Sequence, residues 1–216
     1  MKLFGNWFGR PRPPRTLTPD LATEIRRSFE ESAADEEHFP STIDPRICHV
    51  RFVVETLGPL GDGRALDAGC GKGRFARIVR EHNPAATVVA MDLAVSMLRC
   101  ADPALARVSA SLVALPFADA SFDGVYATES LEHAVDIEAA VAELCRVLKP
   151  GGRLAIIDKN AEHWGRLETP AWEKWFHREE LLKLLRRHCR EADCRPISYW
   201  EDVAPDGLFL AWRAVK

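Results

Sequence analysis

The stretch LDAGCGKGRFA, Leu66 to Ala76, decides the fold. It places three glycines, Gly69, Gly71 and Gly73, within five positions between an apolar run and an amphipathic segment. Ordered glycine costs backbone entropy, so such a cluster persists where the chain must turn tightly or approach something closely. Strand, tight turn and helix start is an arrangement that lays a nucleotide-like ligand against backbone N–H groups. A bare strand-to-helix turn fits the same letters, so the flanking sequence has to separate the two.

Outward from the loop, the chain alternates short β-rich runs with amphipathic segments, the signature of a parallel sheet flanked by helices. Strands are predicted near 64–68, 86–91, 108–113, 122–128, 152–158, 195–200 and 207–215, and helices near 73–82, 94–101, 136–148 and 178–190. In the 136–148 helix, Ile137, Val141, Leu144, Cys145 and Leu148 share one face, and KPGG ends it. The last two strands are joined by the short polar turn EDVAPDG, too short for a crossover helix, so they run antiparallel. Upstream, Thr18-Pro19 starts a helix with Leu21, Ile25 and Phe29 on one side. Asp44-Pro45 starts another that stops at Gly58, with Ile47, Val50, Val54 and Leu57 on one face. Residues 1–16, with Pro11, Pro13, Pro14 and several cations but no acid, read as a flexible basic tail. Its Phe4, Trp7 and Phe8 fall at helical spacing, which Gly5 and Gly9 weaken.

The 216 residues, 47% hydrophobic and 28% charged, suffice for one substantial core. A formal net charge of −3 gives no footprint for a polyanion, which argues against nucleic acid as substrate. No apolar run reaches the ~18 residues of a membrane span. The basic opening has no apolar segment of signal-peptide length, so a cytoplasmic location is expected. Six cysteines without a C-x-x-C pair read as reduced and structural.

Asp92 ends the run TVVAMD, about two dozen residues beyond the loop, where a parallel sheet sets a carboxylate beside a ribose diol. Four stretches now stand in order: LDAGCGKG, VVAMDLAVSML, LPFADASFDGVYATESLEH and RVLKPGGRLAIID. Together they resemble the class I S-adenosylmethionine-dependent methyltransferases of small-molecule type, over roughly residues 60–160. The resemblance implies a Rossmann-like α/β fold: a seven-stranded, mostly parallel sheet with an antiparallel last strand, helices on both faces and an N-terminal helical extension. It also implies a division into a helical lid over 17–58 and a methyltransferase domain over 59–216, with 159–177 covering the acceptor.

For the cofactor, S-adenosylmethionine, the resemblance assigns Asp67 to the ammonium, directly or through water, while Gly69, Gly71 and Gly73 let the loop pass close to the amino-acid part. Asp92 takes the ribose hydroxyls, Leu93 and Met97 the adenine faces, and Ser111 with the N–H of Leu112 the adenine edge; Ala68 and Thr128 border the same site. Ser111 is a departure, since relatives often carry Asp there, and a hydroxyl accepts the same bond without charge.

For the acceptor the sequence gives ESLEHA. If it is helical, Glu129, Glu132 and His133 fall at i, i+3 and i+4 on one face. Some small-RNA and polyprenyl-phenol methyltransferases use a similar E-x-x-E-H with a divalent metal, but LEH is common in metal-free relatives, and metal is not the favoured reading. The favoured one makes His133 or Glu129 the base or polar positioning group. Trp164, Trp172 and Trp175 lie within a span of twelve residues, inside the segment expected over the acceptor. They either wall the pocket or pack the lid, with Lys159, His163 and His177 as further polar contacts. The expected acceptor is a small, hydrophobic or aromatic metabolite methylated on oxygen or nitrogen. The competing classes are a nicotinamide-dinucleotide oxidoreductase, which leaves LPFADASFD and LKPGG unexplained, and a non-catalytic S-adenosylmethionine-binding partner subunit.

Overall fold

The computed structural model describes residues 16–216. The reading of the basic tail, including Phe4, Trp7 and Phe8, therefore lies outside the described residues. The elements are α1 (Pro19–Ser32), α2 (Cys48–Leu57), β1 (Arg64–Ala68), α3 (Arg74–His82), β2 (Thr87–Asp92), α4 (Val95–Cys100), β3 (Ala106–Ser109), β4 (Phe122–Thr128), α5 (Ile137–Val147), β5 (Leu148–Lys159), α6 (Arg178–Leu185), β6 (Glu191–Ile197) and β7 (Phe209–Val215).

The seven strands form one sheet in the order β3-β2-β1-β4-β5-β7-β6. β1 to β5 are mutually parallel, and β7 slots between β5 and β6 antiparallel to both. Alternation along the parallel strands gives each face its own core, as burial on both sides of a sheet demands. Leu66, Val89 and Met91 face Val141, Leu144 and Leu185, whereas Ala65, Val88 and Ala90 face Val53, Leu57, Phe75 and Val79. Strand order reverses between β1 and β4, and ligands of open α/β sheets lie above the carboxyl ends at that point.

Three boundaries differ from the sequence reading, each for a backbone reason. KPGG does not simply end a helix: α5 stops at Val147, and Leu148 already pairs with Phe122, with a register shift before Gly124 meets Arg153. β3 is only Ala106–Ser109, because Ser111 to Ala114 closes a tight turn. β6 begins at Glu191, not near 195, because α6 ends at Leu185 and Cys189 turns the chain with its N–H on Leu185 O. At the N-terminal end, Thr18 Oγ1 accepts from Leu21 N at 3.2 Å and Pro19 opens α1, as the cap residues dictate.

The stretch 17–58 does not behave as one lid. α1 lies across α4 and the carboxyl ends of the strands, while α2 packs beside α3 on the sheet, with Val50, Phe52, Val53 and Leu57 all buried. All six cysteines are free. Among the described residues no helix is long and apolar enough to cross a membrane.

Candidate functional site

The glycine loop shows a division of labour that its letters conceal. All three glycines have positive φ, but for different reasons. A Cβ on Gly69 would come 2.4 Å from Ser130 Cβ, and one on Gly73 would lie 3.1 Å from Ala101 Cβ. At Gly71 nothing lies within 4 Å, so that glycine alone of the three faces open space. The loop's N–H groups are spent inside the protein: Gly69 and Cys70 donate to Met91 O at 2.8 and 2.9 Å, Gly73 donates to Cys70 O at 2.9 Å, and Gly71 donates to Asp92 Oδ2 at 2.8 Å. A pyrophosphate cradle would keep such donors free. Asp92 therefore ties the loop to the end of β2, and its Oδ1 accepts from Ala94 N at 2.8 Å.

Above these strand ends lies a cavity of about 780 Å³. One half is bounded by Gly69, Gly71, Asp92, Leu93, Met97, Ser111, Leu112 and Thr128, together with Arg74 and Glu129. The other half is bounded by α1 through Ala22, Ile25 and Phe29, by Phe39 and Pro40, by residues 167–170, and by His133, Glu132, Lys159 and Glu173. The size suits a cofactor and a small acceptor side by side.

Two cofactor residues from the sequence reading are displaced from the wall. Asp67 is 1% exposed beneath the loop, and burial pushes its carboxyl up to about 8, with the Asp92 charge adding to the rise. Ala68 is fully buried, and its carbonyl accepts Ser130 Oγ at 2.8 Å. Both are points where β1 passes under the loop, not points of access.

The ESLEH stretch is not one helical face. Glu129 sits at φ 51°, outside the single 3₁₀ turn Leu131–His133, and this left-handed residue sends its neighbours to opposite sides. Glu129 approaches Arg74 at 3.6 Å and His49 Nδ1 at 4.0 Å, whereas Glu132 and His133 belong to a separate buried cluster. Burial lowers His49 to about 4, so it stays neutral beside Glu129.

In that cluster the Lys159 ammonium bonds Glu132 and lies 3.2 Å from Glu173 Oε1. His133 Nε2 is 3.5 Å from Glu132 Oε1, and Nδ1 is 3.8 Å from Glu173 Oε2. Burial, with the charge of Lys159, pushes His133 down to about 3, so its imidazole is neutral. Burial raises Glu132 well above the usual carboxylate range and Asp158 to about 7. Burial opposes the charge of Lys159, yet Glu132 and Glu173 hold it above the ordinary lysine range. The edge of Phe29 on α1 meets the His133 ring at 5.0 Å between centroids.

The tryptophans pack and do not wall the pocket. Trp172 is buried with Leu21 and Ile25 under α1, and Trp164 lies edge-to-face on Trp175 at 5.3 Å. His163 lies against Gly207, beside the ion pair Arg166–Asp206, and His177 is exposed ahead of α6. Lys159 alone of the acceptor-side polar candidates from 159–177 reaches the cavity.

Glu173 is one residue that sequence reasoning missed. Its signal is an acid framed by aromatics in AWEKW, and Trp175 Nε1 donates to its Oε1 at 2.7 Å. Arg74, directly after the glycine loop, was also overlooked. So were two anchors of α1 and its following turn: Glu30, accepting from Val95 N and Ser96 N at 2.8 and 2.7 Å, and Glu36, bonded to Lys72 at 2.6 Å.

Residues 66–156 match the methyltransferase domain family. The chain is 42% identical over 150 residues to the O-methyltransferase resE of Aspergillus sclerotiorum, covering 66% of this chain and 56% of that protein. It spans about half the length of the curated relatives it matches. Among solved structures, the Burkholderia thailandensis 1,6-didemethyltoxoflavin-N1-methyltransferase with bound 1,6-didemethyltoxoflavin and S-adenosylhomocysteine superposes with a TM-score of 0.71 at 22% identity, covering 95% of this chain and 93% of that one. The [4+2]-cyclase SpnF superposes with a TM-score of 0.76 at 20% identity over 95% and 99%. At these identities the structural likeness concerns the fold.

Proposed function

From membership of the class I S-adenosylmethionine-dependent methyltransferases, to which this chain belongs, we propose that it methylates a hydroxyl or amino group of a small apolar or aromatic molecule in the cytoplasm. The observation that carries this reading is a single cavity joining the glycine-loop end to an apolar end floored by His133. Four loop N–H groups satisfied internally favour a ligand without phosphates over a dinucleotide. Six free thiols, with Cys145 and Cys189 unbridged at 3.8 Å, support a reducing compartment.

The residues fit S-adenosylmethionine on this structure's own terms. The open side at Gly71 admits close approach of the amino-acid part, and the Arg74–Glu129 pair beside it offers a cation to a carboxylate and an anion to an ammonium. Asp92 retains lone pairs toward the ribose after its two backbone bonds, and Leu93, Met97, Ser111 and Leu112 bound the adenine region. Asp67 lies buried beneath the loop, off the cavity wall. When bound, the cofactor supplies an electrophilic methyl carbon on a sulfonium.

The chain then has to align the acceptor, exclude water and receive a proton. Phe29, Phe39, Leu167 and Pro170 surround the acceptor end with apolar surface. Neutral His133 accepts a hydrogen bond from the acceptor's O–H or N–H, orienting a lone pair toward the methyl. For a hydroxyl acceptor a weak base is enough: as the new bond forms, the oxygen becomes a protonated ether, a far stronger acid than imidazolium. Its proton passes to His133, with Glu132 and Glu173 offsetting the charge.

The test is transfer of labelled methyl from S-adenosylmethionine to a panel of phenols, enols and arylamines, with S-adenosylhomocysteine affinity measured separately. Product 14 mass units heavier on one of these classes is expected, ~14 being the mass of the added CH₂. Affinity for S-adenosylhomocysteine with no transfer to any class would favour the non-catalytic binding reading, and tight binding of a nicotinamide dinucleotide instead would reject both.

A further inference from the structure

The acceptor floor holds more acid than the methyl transfer described above requires. Glu132, Glu173 and Asp158 are all buried within reach of a single ammonium, that of Lys159. Such burial is unfavourable for carboxylates unless a cation is shared among them. Oε1 of Glu132 and Oε1 of Glu173 both face Lys159 Nζ. Among the described residues neither Oε2 of Glu132, a residue only 1% exposed, nor Nδ1 of His133 makes a hydrogen bond. One ligand atom each from Glu132, His133 and Glu173 lies within 4.8 Å of the others, close to the spread of three ligands around one divalent ion. The backbone holds this set rigidly: Lys174 N bonds Glu132 O, and Phe176 N bonds Lys159 O, both at 2.9 Å.

We propose that Lys159 is a built-in cation: its ammonium stands where a divalent metal ion would be held by Glu132, His133 and Glu173, and it offers its remaining N–H to the acceptor oxygen. An ammonium has three donors. Two are directed at Glu132 and Glu173, and Lys159 lines the cavity, so the third is the donor available to an acceptor. The substrate class that fits is a phenol or enol, whose electron-rich oxygen meets a fixed positive charge there while its proton passes to His133 as the methyl bond forms. The ligand set is thus a metal site with its metal position filled by protein. This inference deepens the proposed function and rests on it only for the acceptor.

Titration with Mn²⁺ and Zn²⁺, followed by calorimetry and thermal melting, tests the metal position without any acceptor. Wild type is expected to bind neither ion more tightly than about 1 mM, whereas Lys159→Met gains one site of roughly 1–100 μM and a melting temperature that rises with the ion. Lys159→Met/His133→Ala should lose that site at least about tenfold, and Lys159→Arg should exclude the ion as wild type does. If Lys159→Met folds only when refolded with Zn²⁺, the inference stands. Metal bound by wild type in a His133-dependent way would overturn it. So would a folded Lys159→Met that binds no ion, or an unfolded one that no ion rescues while Lys159→Arg folds. On labelled transfer, Lys159→Met without metal should raise the acceptor KM and lower kcat while S-adenosylhomocysteine affinity stays within about twofold. A wild type that transfers no methyl would sink the proposed function and leave the metal titration as informative as before.

Discussion

The two halves of the cavity are built by different rules. The glycine-loop half is local: Gly69 to Gly73 follow β1, Asp92 ends the adjacent parallel β2, and the loop's backbone bonds close between the two. The acceptor half is assembled from α1, the turn after β4, the end of β5 and the segment before α6. Its key contact, Lys159 to Glu132, joins residues 27 apart in sequence. Local architecture leaves spacing motifs, and assembled architecture leaves only residue types.

The largest expected effect separates two glycines within the first half. Gly69→Ala places a Cβ 2.4 Å from Ser130 at φ +81°, so folded protein should be largely lost on expression, with any remainder melting far below wild type. Gly71→Ala has open space and carries only the left-handed strain of about 1–2 kcal/mol, so it should fold and lose S-adenosylhomocysteine affinity instead. If both variants fold equally well, the division of labour in the loop is wrong.

Asp67 sharpens the same half through pH. Its folded carboxyl titrates near 8 and its ordinary value is 3.8, so between those limits the native state holds a proton that the unfolded chain has released. The unfolded chain binds fewer protons there, and stability falls as pH rises, by up to about 1.4 kcal/mol per unit from this group. Thermal melts of the cofactor-free protein from pH 5 to pH 8 should show the decline, and Asp67→Asn should flatten it. A decline that survives the substitution would assign it to other buried acids such as Asp158.

His133 and Asp92 test whether the halves are separable. His133→Ala should lower kcat by roughly 10²–10⁴ while leaving S-adenosylhomocysteine affinity near wild type. Asp92→Ala should weaken that affinity by about 10- to 100-fold, the larger figure including loss of its bonds to Gly71 and Ala94. Equal effects of both variants on both measurements would mean that the cavity acts as one unit.

What the letters revealed follows from this contrast. The seven strands, the antiparallel β7 and the strand-end position of Asp92 were legible because period-two burial and glycine placement act over a few residues. Ser111 and Leu112, which the family resemblance assigned by their offset from LPF, line the cavity although the strand expected there ends at Ser109. ESLEH misled because helical spacing was assumed across Glu129, whose left-handed backbone breaks the face. The tryptophans misled because an aromatic near a pocket and an aromatic packing its cover share one composition; Trp172 sits with Leu21 and Ile25, a contact no spacing encodes. Glu173 escaped because its charged and ring partners, Lys159 and His133, meet it only after β5 and the turn following β4 come together; its bond to Trp175, two residues on, is local.

The smallest effect concerns the join between the halves. Glu30, near the end of α1, accepts from Val95 N and Ser96 N at the start of α4, so a cover helix caps the helix that bears Met97 on the cofactor side. Val95 and Ser96 are orphan donors of a first turn, and a carboxylate there also meets the favourable end of the helix dipole. Hydrogen bonds from the Ser96 side chain first, then from the N–H groups of Ser96 and Val95, hold the Glu30 carboxyl below its ordinary value, so it is ionised at neutral pH. Glu30→Ala leaves Lys72–Glu36 and the packing of Leu21 and Ile25 as the remaining ties of this segment. The acceptor KM should therefore rise about 2- to 5-fold, because only part of the cover's attachment is lost, with kcat little changed. Amide exchange at Val95 and Ser96 should quicken while exchange in β1 stays as it was. An unchanged KM with faster exchange would show that α1 covers the acceptor without help from this cap, held by Lys72 with Glu36 and Asp35 and by the packing of Leu21 and Ile25.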